Sequence, residues 1–583
     1  MSLARILPIV LLCMLAGCDD EDSVEGCTDC TTSCDDCESC DDGIENQDET
    51  GIDCGGVCPA CPVLTVTHLT LIDADSDQPV AELDPLESGA IVDLALLPSG
   101  NLNIRASTDP EIVGSVLFGL NDDDSQRIDD EPPYALFSDT GGDYSGWTPE
   151  PGSQTVTATP FAGPAGTGAV GESLSITFEV VPVADYYVAP DGSDTNPGTI
   201  SEPFFTLNQA WSVVEAGDLV FMRGGTYLYD SRQRLHDKSG TADRLIRVWA
   251  YPGETPVISP SASFPETVGV HVSGDYLHFK GLEIAGFEQT ESSAWYSGIS
   301  ASDVNHCIFE QLDVHHNGFG FGISGSSDDN LVLNSDFHHN SDPLTDIGTN
   351  LPWGGSDGVT IRVPDLDATN TIRGCRMWWN SDDGVDLWDN EGMIIIEDSW
   401  AFWNGFQPGN FEDAGDGNGY KLGRSDANAD LVKRKIHNTL AFQNKMWGYN
   451  SNGAVCNLEL YNNVAHQNCY QGILTWCGGI SLHVDTVAYF VKNNVAHDNV
   501  QSAFSITDLT NVDHNSWDSP VTVTDDDFLS VTPVGVDDPR QPDGSLPELD
   551  FLRLAPGSDL IDAGVDVGLP FQGASPDMGA FES

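Results

Sequence analysis

Between Leu64 and Val183 apolar and polar residues alternate in short runs broken by Pro, Gly and Asp: LTVTHLTLID, AIVDLALL, LNIRAST, VGSVLFGL, QTVTATPF and LSITFEVV. A period of two buries one face of a strand. Strands at regular spacing with turn residues between them predict an immunoglobulin-like, antiparallel β-sandwich over 63–184. Nothing in this stretch has a catalytic pattern. It is expected to be a spacer, with a carbohydrate-binding module as the alternative, and Arg105 and Tyr134 are its exposed-looking candidates.

At Tyr186 the pattern changes. A strand and a Gly/Pro/Asp turn lead to a helix expected over Pro203–Glu215, then a strand at Leu219–Met222. Beyond it a triplet ending in Asn recurs: HHN at 317 and 340, WWN at 380, FWN at 404, FQN at 444, HQN at 468 and HDN at 499. The spacings are 23, 40, 24, 40, 24 and 31 residues. A unit of this length, enlarged here and there by an insertion, marks a solenoid. The runs between the triplets, such as LVLNSDF and LELYNNVAH, have no helical period. Stacked parallel strands with an inward Asn ladder fit that pattern, so the expected fold is all-β, a right-handed parallel β-helix over 185–583. The Pro203 helix would plug the first coil, and the C-terminal LAPGSDLIDAGVDVG resembles the closing segment that follows many bacterial β-helices.

Charge narrows the function. Lys and Arg number 22 against 92 Asp and Glu, a net charge of −70. Such a chain repels phosphates, which excludes a nucleic-acid partner. The first 18 residues, MSLARILPIVLLCMLAGC, hold one Arg and a short apolar run. Their ending, Leu15-Ala16-Gly17-Cys18, resembles a bacterial lipoprotein signal, which implies lipidation at Cys18 and an exported protein held to the membrane by that anchor alone. No later run reaches the ~20 apolar residues that a span needs. Cys27, Cys30, Cys34, Cys37, Cys40, Cys54, Cys58 and Cys61 crowd 19–62. Their C-x-x-C spacings allow zinc, but export and an even count favour disulfides in a Cys-rich stalk. For Cys307, Cys375, Cys456, Cys469 and Cys477, buried thiols and a single bridge are equally open.

Both 40-residue spacings hide a loop, and between them lies GCRMWWNSDDGVDLWDNEG, with Asp382, Asp383 and Asp386. Like charges this close are either held apart in water or hold a cation. The first long spacing ends in WGGSDGVTIRV, with Asp357, and the second contains GDGNGYKLG, with Lys421. Four carboxylates suit Ca²⁺, which takes six to eight oxygens. A purely structural calcium site is the competing reading, and it weakens because a Lys in so cation-poor a chain falls in the same pattern.

These segments, with HNTLAFQNKMWGYNSNG after them, resemble polysaccharide lyase family 9, the pectate lyases built on a β-helix. The resemblance covers 186–583. It implies that Asp357, Asp382, Asp383 and Asp386 hold a catalytic Ca²⁺, that Lys421 is the base, and that the substrate is polygalacturonate. The reaction would be β-elimination, with the Lys421 pKa lowered by metal and desolvation, in a protein expected to be a monomer. Another uronan such as alginate, or a non-catalytic glycan-binding surface protein, is the alternative. Asp389, Asp413 and Asp416 are candidates for a second ion. Asn418, Asn450 and Asn452 are candidates for sugar hydroxyls, and Trp388 and Trp447 for stacking on a ring.

Overall fold

The computed structural model describes residues 63–345, 352–424 and 431–583. Cys18, the eight stalk cysteines and the whole of 1–62 lie outside the described residues. The chain divides into two units, with the boundary between Pro182 and Val183.

In the first unit a four-stranded and a five-stranded sheet share one apolar core, in which Leu71 and Ile104 from one sheet meet Phe118 and Val156 from the other. The sheets are antiparallel except for one pair, where Ile91–Asp93 runs parallel to Leu174–Val181. Tyr134 is buried rather than exposed, because its hydroxyl donates to the Val113 carbonyl at 2.7 Å and accepts from the Val113 N–H at 2.9 Å. Arg105 is half-buried, with its guanidinium against Thr70.

The second unit is a parallel β-helix with three sheets of twelve, ten and ten strands. The helix expected over Pro203–Glu215 is shorter, Leu207–Val213. Phe204 is tied into backbone bonds with Tyr187 and Ala189, and Thr206 caps the helix by accepting the Gln209 N–H. Its buried Leu207, Ala210 and Trp211 close the first coil. The strand Leu219–Met222 forms as read.

Each coil leaves the second sheet for the third at a turn that the last two residues of the triplet open. The residue before each Asn is left-handed, from His316 (φ 53) to Asp498 (φ 53), without being glycine. The Asn that follows takes up the backbone groups which that turn frees. Asn380 Nδ2 donates to Asn404 Oδ1 at 3.1 Å, Asn404 Nδ2 to Asn444 Oδ1 at 3.0 Å, and Asn444 Nδ2 to Asn468 Oδ1 at 3.0 Å. Asn404 also accepts the Asn380 N–H and donates to the Met377 carbonyl, so it completes bonds on three rungs. Replacing it with Ala strands several buried polar groups at about 1–3 kcal/mol each. Asn404→Ala is expected to destabilise this unit by about 3 kcal/mol or more, read from the denaturation midpoint; a loss below about 1 kcal/mol would remove the ladder as a stabilising device.

Beside the Asn column runs a column of glycines that opens the strands of the third sheet. A Cβ on Gly384 would stand 2.5 Å from the Gly419 carbonyl oxygen and 3.0 Å from Asn404 Nδ2. Gly358, Gly419, Gly448 and Gly479 meet the same crowding. The close approach of successive backbones fixes the register from which the site hangs. The remaining open question about cysteines is settled by one bridge, Cys469–Cys477, while Cys307, Cys375 and Cys456 are buried thiols.

Candidate active site

The site grows out of the glycine column. In the third sheet Val359–Arg362, Val385–Trp388, Tyr420–Arg424 and Trp447–Asn450 stack in parallel. Thr360 pairs with Asp386, Asp386 with Lys421, and Lys421 with Asn450. That row lies on one face. Asp357 and Asp383 immediately precede their glycines, one rung apart, with Asp382 beside Asp383 in the turn.

All four acids are buried, and so is Lys421. Lys421 Nζ lies 2.7 Å from Asp383 Oδ2, 3.4 Å from Asp416 Oδ2 and 3.6 Å from Asp386 Oδ2. Asp383 is the hub. Its Oδ1 accepts the Asn418 N–H at 2.6 Å and Asn418 Nδ2 at 2.8 Å, and its own N–H donates to Asp357 Oδ1 at 3.1 Å. Thr360 Oγ1 donates to Asp357 Oδ2 at 3.1 Å, and the Trp388 N–H to Asp386 Oδ1 at 2.8 Å.

One carboxylate oxygen from each of Asp357, Asp383 and Asp386 lies within 4.8 Å of the other two, and Asp382, Asp383 and Asp416 form a second such group. The expected four-acid set is therefore split, with Asp383 shared. Asp382 groups with Asp383 and Asp416 of the inserted loop, and its carboxylate takes the Asp416 N–H. The three acids considered for a second ion do not come together. Asp416 joins the Lys421 cluster, Asp413 pairs with Lys445 at 2.8 Å, and Asp389 is exposed and outside both groups.

Burying four carboxylates around one ammonium is costly unless protons or a cation compensate them. Burial and the neighbouring acid charges push Asp357 and Asp382 well above the usual carboxylate range, and burial against the pull of Lys421 leaves Asp383 at about 6. Hard oxygen donors at this density fit Ca²⁺. For Lys421 the direction differs from the sequence expectation. Burial acts to lower it, but the charges of Asp383, Asp386, Asp382 and Asp357 outweigh that and hold the ammonium well above its ordinary range. The expectation had counted the metal and the burial but not the bare acids.

Other candidates are corrected by burial. Asn418 and Asn450 are buried and linked to each other, Asn450 Nδ2 donating to Asn418 Oδ1 at 3.0 Å, so they hold Asp383 rather than meet a sugar. Asn452 sits in the following turn with its N–H on Asn450 Oδ1. Trp447 is 1% exposed and packs on Trp476, which leaves no face for a sugar ring. Trp388 is half-buried, with Lys421 Nζ 5.9 Å and Arg424 Cζ 5.3 Å from its ring centre, and it remains at the rim.

A family model described as Pel9A-like, right handed beta helix region matches residues 186–494. The chain belongs to this Pel9A-like family. Pectate lyase L of Dickeya dadantii is 32% identical over 413 residues, which cover 68% of this chain and 90% of that protein. Pectate lyase PEL9 of Emericella nidulans is 30% identical, over 66% of this chain and 95% of its own length. The crystal structure of pectate lyase Pel9A superposes with a TM-score of 0.56 at 30% identity, covering 68% of this chain and 96% of that one. A rhamnogalacturonan lyase gives the same TM-score at 26% identity, over 64% and 96%. The Pel9A-like match includes Asp357, Asp382, Asp383, Asp386, Asp416 and Lys421, and the sandwich lies outside it.

Proposed function

We propose that this protein is a calcium-dependent polysaccharide lyase that cleaves polygalacturonate by β-elimination with Lys421 as the base. The observation that carries the reading is the contact of 2.7 Å between Lys421 and Asp383 inside a buried group of acids. The pectate lyases named above, which share the β-helix over two thirds of this chain, support the substrate class.

Asp357, Asp383 and Asp386, with Asp382 and Asp416 beside them, are the residues that would hold the ion. Calcium bound there would draw charge from a uronate carboxylate and so acidify the proton on carbon 5. Lys421 accepts that proton at Nζ. The electrons form the double bond between carbons 4 and 5, the bond from carbon 4 to the glycosidic oxygen breaks, and that oxygen takes a proton from water. As an ammonium Lys421 has no lone pair to offer. Once the acid charge is compensated, burial alone acts on it and lowers its pKa, so turnover should rise toward alkaline pH. Asn418 fixes Asp383 through two hydrogen bonds, and the backbone of Trp388 fixes Asp386. The lipid anchor at Cys18 would keep this activity at the exported face of the cell envelope.

The rhamnogalacturonan lyase of similar fold supports a second reading, in which the same device acts on a backbone that alternates uronate with a neutral sugar. Polygalacturonate, rhamnogalacturonan and alginate offered separately distinguish the readings. Unsaturated ends from polygalacturonate first are the expected result; release from rhamnogalacturonan alone would move the substrate, and binding of all three without cleavage would end the lyase reading.

A further inference from the structure

The outward face of the second sheet carries a separate constellation. His315 and His338 pair in register on adjacent rungs, with rings stacked 4.8 Å apart at 11°. Two residues upstream, on the same face, Glu283 and Asp313 pair as well. His315 Nε2 lies 3.2 Å from Glu283 Oε1, and His338 Nε2 lies 2.9 Å from Asp313 Oδ1. The other ring nitrogens are held in the same way on both rungs: His315 Nδ1 is 2.7 Å from His316 Nδ1, and His338 Nδ1 is 2.7 Å from His339 Nδ1.

Ring stacking alone does not explain this set. Farther along the same column Trp378, Phe402 and Phe442 stack without any acid, and the positions two residues upstream are Arg376, Trp400 and Leu440. His466 and His497 stack too, but they are buried against Phe551 and Phe528. At His315 and His338 the imidazoles stand beside carboxylates of the same sheet face on the preceding rung, whereas the acid near His497, Asp525 at 3.3 Å, comes from outside the column. The next acid, Asp336, is taken by Arg376 and Arg540. Of the described residues, Asp313, His315 and His338 also form the one group with histidine in which a ligand atom from each lies within 4.8 Å of the others. A cavity of about 540 Å³ opens onto Asp313, His338 and His339 and gives access.

We propose that His315, His338, Asp313 and Glu283 bind a divalent transition-metal ion of the zinc type, at a site separate from the acids around Lys421. Imidazole nitrogen with carboxylate oxygen is a zinc donor set, whereas calcium selects oxygen. Zinc bonds of about 2.0–2.1 Å bring ligand atoms to roughly 3.4 Å from one another, a shift that half-buried side chains on a sheet face can make. His316 and His339 act as positioning residues. Each holds the far nitrogen of a ligand ring and so aims its Nε2 at the ion.

The test is calorimetric titration of Zn²⁺ into the full chain, disulfides intact and calcium in excess. One saturable site per chain is expected. His338→Phe should weaken it at least tenfold while leaving the melting temperature nearly unchanged, because Phe occupies the equivalent place at 402 and 442. His339→Ala should weaken it about tenfold. The absence of saturable binding, or binding undiminished in His338→Phe, would overturn the proposal, the latter by placing the ion elsewhere in the chain.

Discussion

Lys421→Ala should lower the release of unsaturated product from polygalacturonate by about 10²–10⁴-fold, the usual worth of a positioned general base. The strand Tyr420–Arg424 is held by backbone bonds and by the buried Tyr420 and Leu422, so the fold should survive. Calcium should bind at least as well, because the variant removes the ammonium that contacts Asp383. Lys421→Arg sharpens the test. A guanidinium keeps its positive charge among the acids but is never deprotonated in this pH range, so a charge-positioning role would leave that variant active and a base role would leave it as slow as Ala. Turnover at the wild-type rate in either variant removes Lys421 as the base.

Chelation of calcium should reduce turnover to background and invert the pH dependence of stability. The sign follows from the raised acids. In the unfolded chain an Asp loses its proton near pH 4, whereas folded Asp383 keeps it to about 6, and burial with the neighbouring acid charges holds Asp357 and Asp382 well above the ordinary carboxylate range too. Over that window the folded state binds more protons than the unfolded one, so stability falls as pH rises. In chelator the melting temperature of the β-helix should therefore drop between about pH 4 and pH 6. Calcium at a hundredfold its dissociation constant should restore about 2.7 kcal/mol at neutral pH. Scanning calorimetry with and without chelator measures both arms. A flat profile in chelator, or full turnover there, would show that the acids need no cation.

The sequence made the rungs legible because a β-helix repeats one buried chemical need at each turn. Seven Asn residues, each following a left-handed position, are hard to produce by chance. The acids were legible for the same reason: in a register fixed by the Gly column, separations near one unit bring residues together. What escaped is what depends on side-chain direction or on a loop path. Asp416 lies in an insertion outside the repeat, so no period predicted that it would come back to Asp382 and Lys421. Trp447 and Trp388 look alike in sequence, but one is buried against Trp476 and the other is half-buried beside Lys421 and Arg424. Asn418 and Asn450 read as sugar contacts and turn out to brace Asp383, because Asn418 donates twice to its carboxylate and Asn450 holds Asn418 from the next rung. Tyr134 looked exposed because its hydroxyl partner, Val113, lies 21 residues away.

The most direct test of the central claim is a digest of polygalacturonate by the calcium-loaded protein, with the new chain ends identified by ultraviolet absorbance and mass. Elimination by Lys421 gives non-reducing ends that absorb and are lighter by one water than hydrolytic ends. Saturated ends of hydrolytic mass, or a polymer left intact with calcium present, would contradict it.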